Sequence, residues 1–239
     1  MHGITYYTTL GFIAGIFGTG LGGILSAVLP IKNSRGMAAL LEFSGGIMLA
    51  IVCFDLLPEA FALASMPFVL IAFSAGVATL VLFEEWMSKV RPNDKGLSRM
   101  GFIIFSAIAL HDLPEGLAIG SGFIQSESLG FSLMIAILLH NIPEGLSLSL
   151  PFRFAGRKMG FIMFLCILSG LPSGFGAFLG VLAGGVSPML IAACLAFAGG
   201  AMTYVVCGEI IPQSKSLFRG RLPVFSSILG FIIGTIIAV

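Results

Sequence analysis

The sequence predicts an all-α polytopic membrane protein: eight transmembrane helices, with an inverted repeat relating helices 1–3 to helices 6–8 around a central helix 4/5 pair. Composition, the placement of basic residues and a motif written twice carry that expectation. Of 239 residues, 57% are hydrophobic and 10% charged, against about a quarter charged in soluble chains, and the mean hydropathy is +1.08. Such figures exclude a soluble enzyme. With 12 basic and 11 acidic residues the formal net charge is +1, so no basic face exists to bind nucleic acid.

A bilayer core takes about 20 apolar residues per helix, with roughly 17 to 25 tolerated. Eight stretches qualify: Ile4 to Ile31, Met37 to Pro58, Pro67 to Phe83, Met100 to Phe123, Leu129 to Leu150, Met159 to Gly185, Pro188 to Ile211 and Leu222 to Val239. Together they make residues 1–239 a single transmembrane domain. The first basic residue is Lys32, so the opening apolar stretch lacks the basic start of a secretory signal and is expected to remain as helix 1. Its glycines, Gly11, Gly15, Gly18, Gly20, Gly22 and Gly23, read as close helix contacts, because a phosphate loop would need a lysine beside it.

Every basic residue falls between an odd helix and the next even one. Lys32 and Arg35 follow helix 1; Lys89, Arg91, Lys95 and Arg99 follow helix 3. Arg153, Arg157 and Lys158 follow helix 5; Lys215, Arg219 and Arg221 follow helix 7. Basic loops stay in the cytoplasm, so an even helix count puts both termini outside it. Glu84, Glu85 and Trp86 are expected to close helix 3 as ordinary interfacial anchors. Cys53, Cys166, Cys194 and Cys207 lie in apolar runs without a CxxC pair, which predicts buried thiols rather than disulfides or a zinc knuckle.

Helix 2 and helix 7 align without gaps over Phe43-Ser-Gly-Gly-Ile-Met48 to Pro58 and Phe197-Ala-Gly-Gly-Ala-Met202 to Pro212. One runs outward and the other inward, so the repeat is inverted, as in secondary transporters with one central site. Asp55 and its counterpart Glu209 become carboxylates at the two mouths.

Helix 4 carries His111-Asp112-Leu113-Pro114-Glu115-Gly116 and helix 5 carries His140-Asn141-Ile142-Pro143-Glu144-Gly145. In each, histidine and glutamate are four residues apart, hence on one face, and Asp112 or Asn141 projects about 100° further round. A charge at the middle of a span costs about 2.5–3.5 kcal/mol on insertion scales, so Asp112, Glu115 and Glu144 together cost about 8–10 kcal/mol. No lysine or arginine lies at that depth. Protons or divalent cations remain as neutralising partners, and two imidazoles with carboxylates and an amide suit a first-row transition metal better than calcium. Glu115 and Glu144 could bridge two ions, one bound with His111 and His140 and the other with Asp112 and Asn141. Pro114 and Pro143 free the carbonyls of Leu110 and Leu139, which favours a hydrophilic path.

At these residues the chain resembles the ZIP family of divalent metal transporters, especially its bacterial members, over essentially its whole length. Helix 2's Asp55-Leu56-Leu57-Pro58-Glu59 and helix 7's Gly208-Glu209-Ile210-Ile211-Pro212 are similar to family segments too. The resemblance implies a binuclear site between helices 4 and 5, metal moving toward the cytoplasm, a homodimer in the bacterial inner membrane, and Met48 lining the pathway. It also implies that helices 1, 4, 5 and 6 move against 2, 3, 7 and 8. Two departures stand out. Asp112 occupies a place where many members carry asparagine, and Ser173, in Ser169-Gly170-Leu171-Pro172-Ser173-Gly174, occupies one where many carry glutamate. Gly170, Pro172 and Gly174 suggest a local break in helix 6.

The expected cargo is Zn²⁺, with Fe²⁺, Mn²⁺ and Cd²⁺ as candidates, and no prosthetic group or enzymatic activity is expected. Two other classes fit parts of the pattern. An intramembrane metal-dependent hydrolase would use HExxH spacing, whose glutamate directly follows the first histidine, whereas here Asp112 or Asn141 stands there. A proton-coupled carrier of organic solutes would use the same histidines and glutamates as a relay. The chain contains no ATP-binding motif.

Overall fold

The computed structural model describes residues 2–31, 33–90, 96–183 and 187–238; Lys32, Arg91, Lys95, Gly185 and Val239, used above, lie outside them. The described residues form eight helical rods and no strand: α1 (His2–Val28), α2 (Ser34–Leu63), α3 (Met66–Val90), α4 (Gly96–Gln125), α5 (Glu127–Phe154), α6 (Met159–Leu182), α7 (Pro188–Leu217) and α8 (Leu222–Ala238). The starts of α2, α5 and α7 follow from caps: the side chains of Asn33, Ser126 and Ser187 accept from the backbone N–H of Gly36, Leu129 and Leu190, satisfying orphan donors of the first turn.

Seven of the rods are long and apolar enough to cross a membrane. The eighth, α8, has 17 residues, about 26 Å of helix at 1.5 Å per residue, against about 30 Å of hydrocarbon. Several rods outrun the apolar runs that predict them. α3 continues through Glu84, Glu85 and Trp86 to Val90, so these residues do not close it. α6 is unbroken through Pro172, contrary to the expected break, because a proline within a long helix displaces only one backbone bond when neighbouring helices hold the rod.

Both α2 and α7 contain a π-turn, Val52–Leu56 and Val205–Ile210. In each, the residue before the proline bonds five residues back: Leu57 N–H to the Val52 carbonyl, and Ile211 N–H to that of Val206. Pro58 and Pro212 would clash with a carbonyl four residues back in an α-helical register, and a widened turn relieves this. Cys53 and Cys207 sit on these turns and are exposed, while Cys166 is buried and Cys194 half-buried. The expectation of four buried thiols thus fails where the turns carry the sulfurs to the outer face.

The rods pack as two groups. α1, α4, α5 and α6 contact one another closely, α2 packs on α8 and α3 on α7, and contacts of α4 with α7 and of α2 with α5 join the groups. Glycine sets the closeness of the first group. A Cβ on Gly22 of α1 would fall 2.2 Å from the Ile142 carbonyl oxygen of α5, one on Gly116 1.9 Å from that of Ser173, and one on Gly145 2.0 Å from that of Thr19. Gly20 is the exception within α1, with nothing within 4 Å. At one end of the bundle Arg153 donates to the carbonyls of Ser26, Leu29 and Ile31, and Arg35 lies 5.5 Å from the Phe218 ring centroid. The loops after α1, α5 and α7 therefore share one end.

Gly22→Ala is expected to cost about 1–3 kcal/mol through overpacking against α5. Gly20→Ala on the same helix should be neutral or stabilising by up to about 1 kcal/mol from helix propensity. Thermal unfolding of both variants in detergent separates the two effects.

Candidate metal site

α4 and α5 are joined by a single residue, Ser126, and so run antiparallel. Writing the same histidine-to-glutamate order on two antiparallel rods sets the histidine of each opposite the glutamate of the other. The structure shows this crossing: Nε2 of His111 lies 3.0 Å from Oε1 of Glu144, and Nε2 of His140 lies 3.0 Å from Oε2 of Glu115. In each pair the ring N–H donates and the carboxylate accepts. His111 Nε2 is also 3.8 Å from Oδ1 of Asp112.

All six side chains, His111, Asp112, Glu115, His140, Asn141 and Glu144, are fully buried. Among the described residues, seven of their atoms have no hydrogen-bond partner: Nδ1 of both histidines, both oxygens of Asp112, Oε1 of Glu115, Oδ1 of Asn141 and Oε2 of Glu144. Buried polar atoms are otherwise satisfied in the great majority of cases, so this concentration at one place makes the cluster the candidate site. Ligand atoms of His111, Asp112 and Glu115 lie within 4.8 Å of one another. That α4 triad groups the residues differently from the expected pairing of His111 with His140. Nδ2 of Asn141 donates to the Ala14 carbonyl of α1 at 3.4 Å, and its Cβ packs over Gly18.

The local sequence explains the geometry. The glycine after each glutamate, Gly116 or Gly145, lets a backbone of α6 or α1 press against the motif turn. Pro114 and Pro143 lie inside unbroken helices. The hydroxyl of Ser44 on α2 donates to the Pro143 carbonyl, tying the second helix group to the motif.

The remaining sequence-nominated residues lie around this centre. Met48 is buried in α2. Asp55, half-buried in the π-turn of α2, lines a cavity of about 270 Å³ with Ser132, Ala136 and Leu139 of α5. Ser173 is fully buried with its hydroxyl unpartnered among the described residues, its carbonyl against Gly116. Glu209, half-buried in the π-turn of α7, lies beside Glu84 and Arg99.

Sequence reasoning passed over the group around Glu84. Tyr204 of α7 donates to Oε2 of Glu84, and Arg99 of α4 donates to Oε1 of Glu84 at 3.3 Å and to Ser88 at 2.7 Å. An acidic pair at a helix end signals little by itself; a tyrosine in the otherwise apolar repeat of helix 7 was the available clue.

Imidazoles and carboxylates reciprocally paired between two antiparallel apolar helices, with free lone pairs left over, define a polytopic membrane protein with transition-metal ligand chemistry at its centre. The family model for the ZIP zinc transporters matches residues 88–238, which hold α4 to α8, and the chain belongs to that family. Its sequence is 33% identical to zinc transporter ZupT of Chlorobium phaeovibrioides, with 92% of each chain aligned. It is 40% identical to zinc transporter ZIP11 of Homo sapiens over 60% of this chain and 44% of that protein. To zinc transporter GufA of Myxococcus xanthus it is 45% identical over 45% and 43% of the two chains. It is a transporter of the membrane, not an enzyme.

Because each histidine and glutamate form a pair across α4 and α5, their substitutions should not add. Removing one partner of a buried pair costs about 3–5 kcal/mol. The double variant His111→Ala/Glu144→Ala is expected to unfold at a higher temperature than the sum of its single variants implies, whereas His111→Ala/Glu115→Ala, which breaks both pairs and removes neighbours that are not hydrogen-bond partners, should show a weaker coupling. Thermal unfolding in metal-free detergent measures both cycles.

Proposed function

We propose that the protein carries Zn²⁺ across the bilayer into the cytoplasm through the His111, Asp112, Glu115, His140, Asn141 and Glu144 cluster. The observation that carries the reading is the set of seven unpartnered nitrogen and oxygen atoms on six fully buried side chains. Metal binding requires deprotonated ligands. A cation entering the cluster competes with the protons shared in the His111–Glu144 and His140–Glu115 pairs, and the displaced protons leave to water as the histidines and carboxylates become ligands. Fe²⁺, Mn²⁺ and Cd²⁺ have compatible coordination chemistry.

Two ions share the cluster in this proposal. The α4 triad of His111, Asp112 and Glu115 seats one, and the bridging carboxylates Glu115 and Glu144 reach toward Asn141 for the other, with Ser173 close by. Asp55 and its cavity form the outer mouth, with Met48 along the path inward. Glu209 stands at the inner mouth. The equivalent π-turns of α2 and α7 and the two packing groups support an inverted repeat in which α1, α4, α5 and α6 move against the rest. α8 completes eight crossings by packing along α2, both termini lie outside the cytoplasm, and the assembly is a homodimer in the bacterial inner membrane.

Proteoliposomes test the reading directly. Glu115→Ala/Glu144→Ala is expected to lower ⁶⁵Zn²⁺ uptake at least tenfold, since disturbing even the outer groups of a metal site typically costs about 10- to 100-fold. Unchanged uptake would refute the assignment. Zinc-edge anomalous scattering from zinc-soaked crystals should peak between His111 and Glu144, which a carrier of organic solutes would not show. Zinc binding should also release protons and weaken in acid; calorimetry in buffers of different ionisation enthalpy reads both.

A further inference from the structure

At the end of the bundle that carries the basic loops, a cavity of about 540 Å³ opens between α2, the end of α7 and the start of α8. It lies outside the helix 4/5 cluster and plays no part in the proposed transport. Its wall holds both signs of charge: Lys215 from the last turn of α7, Arg219 from the α7–α8 connection, and Glu42 from α2. Glu42 is only 4% exposed, within a helix that is otherwise apolar there. Its carboxylate has Ser214, Ser227 and Lys215 as neighbours. Phe218 closes one side, held by Arg35 stacked above its ring. Pro223 and Val224 form the side toward the bilayer, where Val224 and Phe225 are more than half exposed.

We propose that this cavity binds the headgroup of an ethanolamine phospholipid from the cytoplasmic leaflet. Basic pockets between membrane helices on the cytoplasmic side select phosphate headgroups, and Lys215 and Arg219 supply that chemistry. A purely anionic headgroup would leave Glu42 facing more negative charge. A primary ammonium next to the phosphate meets Glu42 with hydrogen bonds that a quaternary choline cannot donate. The acyl chains then run outward along Val224 and Phe225. Phosphate, ammonium and hydrocarbon each meet a wall of matching chemistry, in the order in which such a lipid presents them.

The test is native mass spectrometry of the delipidated full-length protein titrated with phosphatidylethanolamine, phosphatidylglycerol or phosphatidylcholine. Wild type is expected to retain phosphatidylethanolamine preferentially. Arg219→Ala, at an exposed position, should weaken that retention roughly five-fold, the worth of one basic residue near a lipid surface. Glu42→Gln keeps the size of the side chain and should shift the preference toward phosphatidylglycerol. Equal retention of the three lipids by wild type, or a preference unmoved by Glu42→Gln, overturns the proposal. Displacement of the lipid by millimolar inorganic phosphate also overturns it, since the site would then be one for a soluble anion.

Discussion

Hydrocarbon offers no hydrogen bonds, and the centre of this protein is arranged around that constraint. Three carboxylates and two imidazoles sit fully buried in α4 and α5, where no solvent can satisfy them. Pairing each imidazole with a carboxylate of the other helix satisfies one atom of each partner. It cannot satisfy the rest, because a carboxylate has two oxygens and an imidazole two nitrogens. The antiparallel crossing thus produces a centre that is half-compensated by construction, with unpartnered atoms that the proposed reading assigns to a cation.

Close packing makes that arrangement possible. The pairs require the α4 and α5 backbones to present their motif turns at one depth, and α1 and α6 hold them there through contacts that only glycine permits. Gly116 against Ser173, Gly145 against Thr19 and Gly22 against Ile142 are backbone-on-backbone approaches, the geometry that small residues give membrane helices. The second group of rods touches the centre more sparingly, through contacts such as Ser44 on the Pro143 carbonyl. A tightly packed body bearing the candidate site thus lies against a second body joined to it by fewer contacts, which is the arrangement the proposed movement of one group against the other requires.

Much of this is legible in the sequence because membrane helices obey simple rules. Apolar runs located every rod, and the four-residue spacing of His111 to Glu115 and of His140 to Glu144 placed each histidine and glutamate on one face. Periodicity within a helix says nothing about partners across helices. The crossing of His111 to Glu144 and His140 to Glu115 needed the antiparallel turn at Ser126, and the tether of Asn141 to Ala14 needed the position of α1. Rod ends were misjudged where polar residues continue a helix into the interface, as at Glu84 to Val90 in α3. The π-turns were missed because a proline tells where a helix must adjust, not whether it breaks, kinks or widens. Gly20 looked like its neighbours in sequence, yet a Cβ there would meet nothing within 4 Å, since contact depends on which way a residue faces in the packed bundle.

The two motifs are alike in sequence and unlike in situation. On α4, both oxygens of Asp112 are unpartnered beside His111 and Glu115. On α5, the corresponding Asn141 is neutral and spends its amide N–H on the backbone of α1. Two charged motifs would stack four carboxylates at one depth, and like charges held this close in a low dielectric repel strongly. Replacing one by a neutral amide that anchors α1 removes part of that repulsion and adds a strut. Under the proposed reading the consequence is directional: a cation meets its densest set of oxygens on α4, while α5 supplies His140 and Glu144 from a turn that α1 keeps rigid. Under that reading, inequality between two copies of one motif lets a single pair of helices offer two seats of different character.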